Sequence, residues 1–192
     1  FGKFSRESRS PCIGHSGVLY YPLWLIYAAA VVENNGFEIA FIDAPAKQLD
    51  VQQTLQRVDK EAADASLFVL DTSTPSIYND VAFAEHLKKK YPGSKIMLVG
   101  THPSALPIET LNINDAVDFV ARREYDYIVL KTAQALENNV AIDRVRGLTY
   151  RDVIGEIKET PDADYIEQLD DIPMAAPFIK KYLDIRDYVF PA

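Results

Sequence analysis

Short apolar segments that stop abruptly in polar turns recur along this chain, with helical stretches between them. That alternation constrains the fold more than any other feature. Ser66-Leu67-Phe68-Val69-Leu70 runs into Asp71-Thr72-Ser73-Thr74-Pro75, and Lys95-Ile96-Met97-Leu98-Val99 runs into Gly100-Thr101-His102-Pro103. Phe37–Ile42 ends in the same way at Asp43-Ala44-Pro45, and a further strand is expected over Ala116–Ala121. Between them lie helical patterns. One covers roughly Gln48–Ala63, with Val51, Leu55, Val58 and Ala62 on one face. Another runs from Ile77 to Tyr91, with Ile77, Val81, Ala84, Leu87 and Tyr91 inward and Lys88-Lys89-Lys90 where cations suit the helix dipole. A short helix is expected near Ile108–Leu111 and a longer one over Asp126–Glu137. Continuous apolar strands alternating with helices mean a mainly parallel sheet covered on both faces. Right-handed crossovers make it an open, doubly wound α/β sheet.

The flanks read differently. Residues 1–21 are polar and broken by Gly2, Pro11, Gly14 and Gly17, which suggests a long loop. Pro22 opens a helix over Leu23–Glu33, apolar almost all round, and Asn34-Asn35-Gly36 ends it with Gly36 as a left-handed cap. Nothing in 1–21 reads as the strand that normally forms the centre of such a sheet, so that strand is expected upstream of Phe1. After Asn139, Arg146–Arg151 and Glu156–Glu159 alternate around Val153-Ile154-Gly155, a β-hairpin signal. From Pro161 the chain is acidic and punctuated by proline, a linker with at most one short helix near Phe178–Leu183. The expected organisation is an α/β domain over 1–140, then a hairpin and connector over 141–192.

Composition excludes several classes. The chain has 192 residues, 48% hydrophobic and 25% charged, so it can bury a core. Acidic residues outnumber basic ones by 28 to 20, which argues against nucleic-acid binding through a basic face. The longest apolar run, Leu23–Val32, is about half the roughly 20 residues of a membrane span. A single cysteine, Cys12, excludes an intrachain disulfide framework and a complete four-cysteine metal site. His15, His86 and His102 form no pair at ligand spacing, and no metal site is expected. No signal-peptide pattern is evident, and a cytoplasmic location is expected. There is no GxGxxG, no GxxxxGK[ST], and no nucleophile–base pair, so no residue is assigned a catalytic role.

Doubly wound sheets bind ligands beyond the carboxyl ends of their strands. Thr72, Ser73 and Thr74 supply hydroxyls there, and the Gly100–Ser104 turn supplies backbone N–H groups; both suit phosphate, amide or carboxamide groups. Gly100 also lets a ligand approach the backbone. Plainer roles exist for each residue. Thr72–Thr74 can cap the next helix, and His102 can be a loop histidine bonded to backbone. Glu124 can be a helix-start charge. Tyr20, Tyr21 and Trp24 can be core aromatics. His86 sits on an exposed helix face, while His15 and Cys12 fall in a loop.

Several segments together carry a resemblance. Tyr21–Ala29, Glu33–Ile39 and Ile42–Pro45 are similar to the amino-terminal domain of cobalamin-binding radical S-adenosylmethionine proteins. Val99-Gly100-Thr101-His102-Pro103-Ser104 resembles that family's GG-x-H-P-[ST] loop. Arg146–Arg151 and Leu169-Asp170-Asp171-Ile172-Pro173 resemble the hairpin and connector leading to its radical domain. The resemblance implies a flavodoxin-like or Rossmann-like cobalamin-binding fold, with the nucleotide tail of cobalamin tucked into the carboxyl edge of the sheet. It implies Thr72, Ser73, Thr74, Gly100, Thr101, His102 and Pro103 as tail-lining residues, with Tyr21 and Glu124 as further contacts. The implied partner is a carboxyl-terminal radical domain holding a 4Fe-4S cluster and S-adenosylmethionine; its CxxxCxxC is absent from this chain.

Three departures accompany it. Val99-Gly100 replaces Gly-Gly, and Arg123-Glu124-Tyr125-Asp126 replaces a GEGE turn, keeping both acids and losing both glycines. No Asp-x-His-x-x-Gly occurs, so the lower axial position of cobalt has no assigned ligand. Two alternatives stand beside the main reading. One is a family domain that has lost cobalamin and only covers the radical site, favoured if Val99, Arg123 or Tyr125 fills the strand-end cleft. The other is a receiver-like or flavodoxin-like interaction module, which lacks the lysine expected after Phe119–Ala121.

Overall fold

The computed structural model describes residues 19–188. Cys12, His15 and all but three residues of the loop expected over 1–21 lie outside that range. The first helix, α1 (Leu23–Asn34), starts after Pro22 and ends where the N–H groups of Asn35, Gly36 and Phe37 turn back onto the carbonyls of its last turn. Gly36 takes φ +89°, the left-handed cap its sequence position suggested. Helix α2 (Val51–Glu61) begins with a capping box: Gln53 N–H donates to Asp50 Oδ1 at 2.7 Å, and Asp50 N–H donates to Gln53 Oε1 at 2.9 Å.

Strand β1 (Leu67–Asp71) leads through α3 (Ile77–Lys90) to β2 (Lys95–Val99). Two short helices, α4 (Thr101–Ala105) and α5 (Pro107–Ile113), lead to β3 (Phe119–Ala121), and α6 (Asp126–Glu137) follows. The hairpin is β4 (Leu148–Arg151) and β5 (Ile157–Glu159), and α7 (Ala175–Tyr182) comes last. The sheet order is β1-β2-β3-β4-β5. The first three strands are parallel, with Asp71 opposite Val99 and Met97 opposite Phe119. The hairpin adds antiparallel to β3, with Ala121 opposite Leu148.

Alternation along β2 explains how both faces are covered. Met97 and Val99 face a cluster that includes Ala28 and Val31 of α1 and Ile128 and Val129 of α6. Ile96 and Leu98 face a second cluster with Val58 of α2, Val81 and Leu87 of α3, and Leu111 of α5. Near-continuous apolar strands are what two covered faces require, and the doubly wound architecture stands. No helix among the described residues is long and apolar enough to cross a membrane.

Several expectations change. Phe37–Ile42 is not a strand: no ladder forms there, because no described segment offers its backbone a partner. Its alternation survives as packing, with Phe37 and Ile39 against the first cluster. The Gly100–Ser104 turn is largely the helix α4. Helix α1 is buried on two sides, as its apolar run implies, with Ala28 and Val31 in the first cluster and Ile26 and Ala30 against α7; its start is open, Leu23 and Trp24 being 42% and 60% exposed. The hairpin extends the main sheet. The segment after Pro161 does not simply lead away: α7 returns to α1, where Phe178 packs with Ile26 and Ala30. The Phe178 ring meets Phe41 at 5.2 Å and Tyr182 at 4.5 Å. Apolar residues spaced along one side of an otherwise polar tail give that side a reason to dock.

Candidate functional site at the carboxyl edge of the sheet

Parallel pairing brings the carboxyl ends of β1, β2 and β3 to one edge. At the first end, Thr72 and Ser73 are buried, with exposures of 1% and 3%. Their hydroxyls converge on Ser76: Thr72 Oγ1 lies 3.3 Å and Ser73 Oγ 3.2 Å from Ser76 Oγ. Ser73 N–H donates to the same Ser76 oxygen at 3.2 Å. The hydroxyls of Thr72 and Ser76 also lie toward the carboxyl of Asp80, one turn into α3, and favour its charged form. Burial pushes that carboxyl above the ordinary aspartate range, and the two hydroxyls offset only part of the shift. Its Oδ2 is buried with no partner. The simple cap is not made: no side chain caps α3, and the Ser73 carbonyl accepts the Ser76 and Ile77 N–H groups at 3.0 Å each.

The second end closes tightly on the first. Gly100 takes φ +112°, and a β-carbon there would lie 2.2 Å from the Thr72 carbonyl oxygen and 2.8 Å from Asp71 Oδ1. The protein's own backbone therefore demands this glycine. Thr72 N–H donates to the Val99 carbonyl at 2.9 Å and holds the ends in register. His102 Nδ1 lies 3.2 Å from Thr74 Oγ1, so the two exposed hydrogen-bonding groups of the turns meet side by side. Thr101 is exposed and Pro103 is buried beneath them.

The third end is tied to the second. The Arg123 N–H donates to Ser104 Oγ at 2.6 Å, tying the loop after β3 to α4. Arg123 itself takes φ +64° and swings outward to pair with Asp162 at 2.7 Å. Tyr125 turns inward and is 7% exposed, in the same cluster as Val99 and Ala121. Its hydroxyl is buried without a hydrogen-bond partner. Burial first, then the negative charges of Asp71 and Asp126, hold the phenol well above its usual pKa. Burial likewise raises the Asp126 carboxyl, with Glu124 adding to it.

Thr72, Ser73, Thr74, Gly100, Thr101, His102 and Pro103 thus belong to one edge. Glu124 and Tyr21 have other surroundings. The Glu124 carboxylate accepts from the Ile166 N–H at 3.3 Å and lines a cavity of about 850 Å³ between α6, Val140–Arg146 and Ala163–Asp171. Tyr21 packs at a tilt against Tyr188, with ring centroids 4.4 Å apart, beside Leu19 and Ala46. The end at Asp43 is occupied by the protein: its carboxylate accepts from Tyr188 Oη at 2.7 Å and Ala46 N–H at 3.2 Å. His86 is exposed on α3.

Two residues gain importance that sequence reasoning did not assign to the ligand. Asp80 lies four residues past Ser76, and that spacing was the available signal. Tyr125 was legible only as a lost glycine. Two of the buried polar atoms left without a partner among the described residues, Asp80 Oδ2 and Tyr125 Oη, lie at this edge. Native proteins pair nearly all such atoms, so orphans here fit an edge completed by a polar ligand.

A family model described as B12 binding domain matches residues 9–131. The chain is similar to the anaerobic magnesium-protoporphyrin IX monomethyl ester cyclase of Rubrivivax gelatinosus, 25% identical over 155 residues, covering 79% of this chain and 28% of the cyclase. In three dimensions it resembles the radical S-adenosylmethionine methyltransferase TsrM from Kitasatospora setae, solved with cobalamin and a [4Fe-4S] cluster bound. The TM-score is 0.68 at 15% identity, over 85% of this chain and 30% of that one. The cobalamin-dependent S-adenosylmethionine radical enzyme OxsB with aqua-cobalamin matches at TM-score 0.67 and 15% identity, over 84% of this chain and 23% of that one. The chain spans less than a third of each of these proteins.

Proposed function

The chain belongs to the B12 binding domain family, and from that premise we propose that it holds cobalamin at the carboxyl edge of its sheet on behalf of a radical S-adenosylmethionine enzyme. The observation that carries the reading is the joined edge itself. Buried hydroxyls of Thr72 and Ser73, the Thr74–His102 pair and two unpartnered polar atoms converge where doubly wound sheets take their ligands.

In this reading the exposed Thr74 presents its hydroxyl to the nucleotide tail, and the buried Thr72 and Ser73 hydroxyls hold the turn behind it. The α4 turn, shaped by Gly100, sets His102 beside them. Asp80 orients the hydroxyls from behind, and Tyr125 floors the cleft. Bound cobalamin supplies a cobalt centre suited to methyl transfer or radical chemistry. These residues bind and orient the cofactor and exclude water from its tail; none is assigned a chemical step. The 4Fe-4S cluster and S-adenosylmethionine belong to a partner domain of the same parent protein, and the reaction is carried out there. The names of two similar structures support that assignment: a radical S-adenosylmethionine methyltransferase with cobalamin and a [4Fe-4S] cluster bound, and a cobalamin-dependent S-adenosylmethionine radical enzyme.

The experiment is gel filtration of the purified protein after incubation with hydroxocobalamin. Co-elution of protein with a shifted cobalamin absorbance is expected. Folded protein that elutes free of cobalamin at millimolar ligand sinks the reading and returns the domain to a cover that has lost its cofactor, the role that Tyr125 at a usual glycine position would then explain.

A further inference from the structure

Tyr125 occupies a place where the resembled turn has glycine, and its side chain is not merely filler. The ring lies in the apolar cluster under Val99 and Ala121, while the hydroxyl is buried without a partner. A phenol that only filled space would do so better as phenylalanine, because an unpaired buried hydroxyl is costly. The charged groups around it are Asp71 at the end of β1 and Asp126, with Glu124 close to Asp126. This setting is anionic, so a phosphate or carboxylate partner is disfavoured. A primary carboxamide suits it: the amide oxygen accepts from the phenol, and the amide N–H₂ faces carboxylates, which accept several hydrogen bonds each.

We infer that the Tyr125 hydroxyl is a ligand-binding group that donates a hydrogen bond to a carboxamide oxygen of the cofactor held at this edge. The inference rests on the cobalamin reading, since the periphery of that cofactor carries neutral primary amides. It adds a selecting contact local to Tyr125, where a neutral amide edge is preferred to a carboxylate.

The test uses the protein with Tyr125→Phe, which removes one oxygen and keeps the ring. Tyr78→Phe, 75% exposed on α3, is the control. Hydroxocobalamin is titrated by absorbance, and thermal unfolding is followed without ligand. Tyr125→Phe is expected to bind at least about fivefold more weakly, roughly one hydrogen bond, while the ligand-free protein melts at the same temperature or higher. The control changes neither. Binding within fivefold of the unaltered protein overturns the inference, as does a lower melting temperature, which would reveal a partner inside the protein; both leave cobalamin binding standing. Unaltered protein that fails to bind hydroxocobalamin overturns the inference and the cobalamin reading together.

Discussion

Gly100 lies so close to Thr72 that a β-carbon at position 100 would sit 2.2 Å from the Thr72 carbonyl oxygen. The contact joins two strand ends that are 28 residues apart in sequence and shapes the turn into α4. At φ +112° and ψ −173° the backbone is also in a region that only glycine occupies comfortably. Gly100→Ala is therefore expected to destabilise the fold by about 3–5 kcal/mol, combining backbone strain with overpacking. Urea unfolding of the variant measures it. A loss below about 1 kcal/mol would show that the two turns separate easily.

Arg122 holds the hairpin to the rest of the sheet. Its guanidinium is 10% exposed and donates to the Leu148 and Thr160 carbonyls at 2.5 and 2.6 Å, to Thr149 Oγ1 at 2.9 Å and to Asp162 at 3.1 Å. Arg122→Ala strands several buried acceptors, and a cost of about 2–4 kcal/mol is expected. Hydrogen exchange should show the faster opening first at β4 and β5. Uniform acceleration across all strands would contradict a local clamp.

Asp80 makes stability depend on pH. Its folded pKa is raised by burial, so the native state binds the proton more tightly than the unfolded chain. Between the ordinary value, about 4, and the raised one, stability from this group falls as pH rises. Asp80→Asn removes the charge and should flatten that fall. Denaturant midpoints from pH 4 to 7 test it; parallel curves for the variant and the unaltered protein would refute it.

His102 and Thr74 meet at 3.2 Å on an exposed part of the edge. His102→Ala is expected to leave stability within about 0.5 kcal/mol, as exposed substitutions do. Affinity for hydroxocobalamin should fall by about threefold to tenfold, the range of one hydrogen bond. Unchanged affinity would remove His102 from the binding surface.

Phe178 anchors the tail, 3% exposed between Phe41 and Tyr182. Phe178→Ala should cost about 3–5 kcal/mol of docking and packing. Limited proteolysis is then expected to cut within 161–188 before the sheet. Equal resistance of the tail in both proteins would mean that α7 is held by other contacts.

What the sequence determined by itself is the part written in local pattern. The β2 limits, the α6 limits and the Gly36 cap were legible because apolar runs, helical periodicity and cap residues act within a few positions. So was the placement of Thr72–Thr74 and Gly100–Pro103 at one edge, since parallel strands must end together. Tertiary structure decided the rest. Phe37–Ile42 has a strand's alternation, yet strand formation needs a partner, and pairing is not local. The tail looked like a linker until the Phe178 side found α1, a contact across nearly 150 residues. Tyr125 read as a lost glycine. Only packing turned its ring under Val99 and left its hydroxyl buried beside Asp71, because burial and hydrogen-bond satisfaction depend on what surrounds an atom in space.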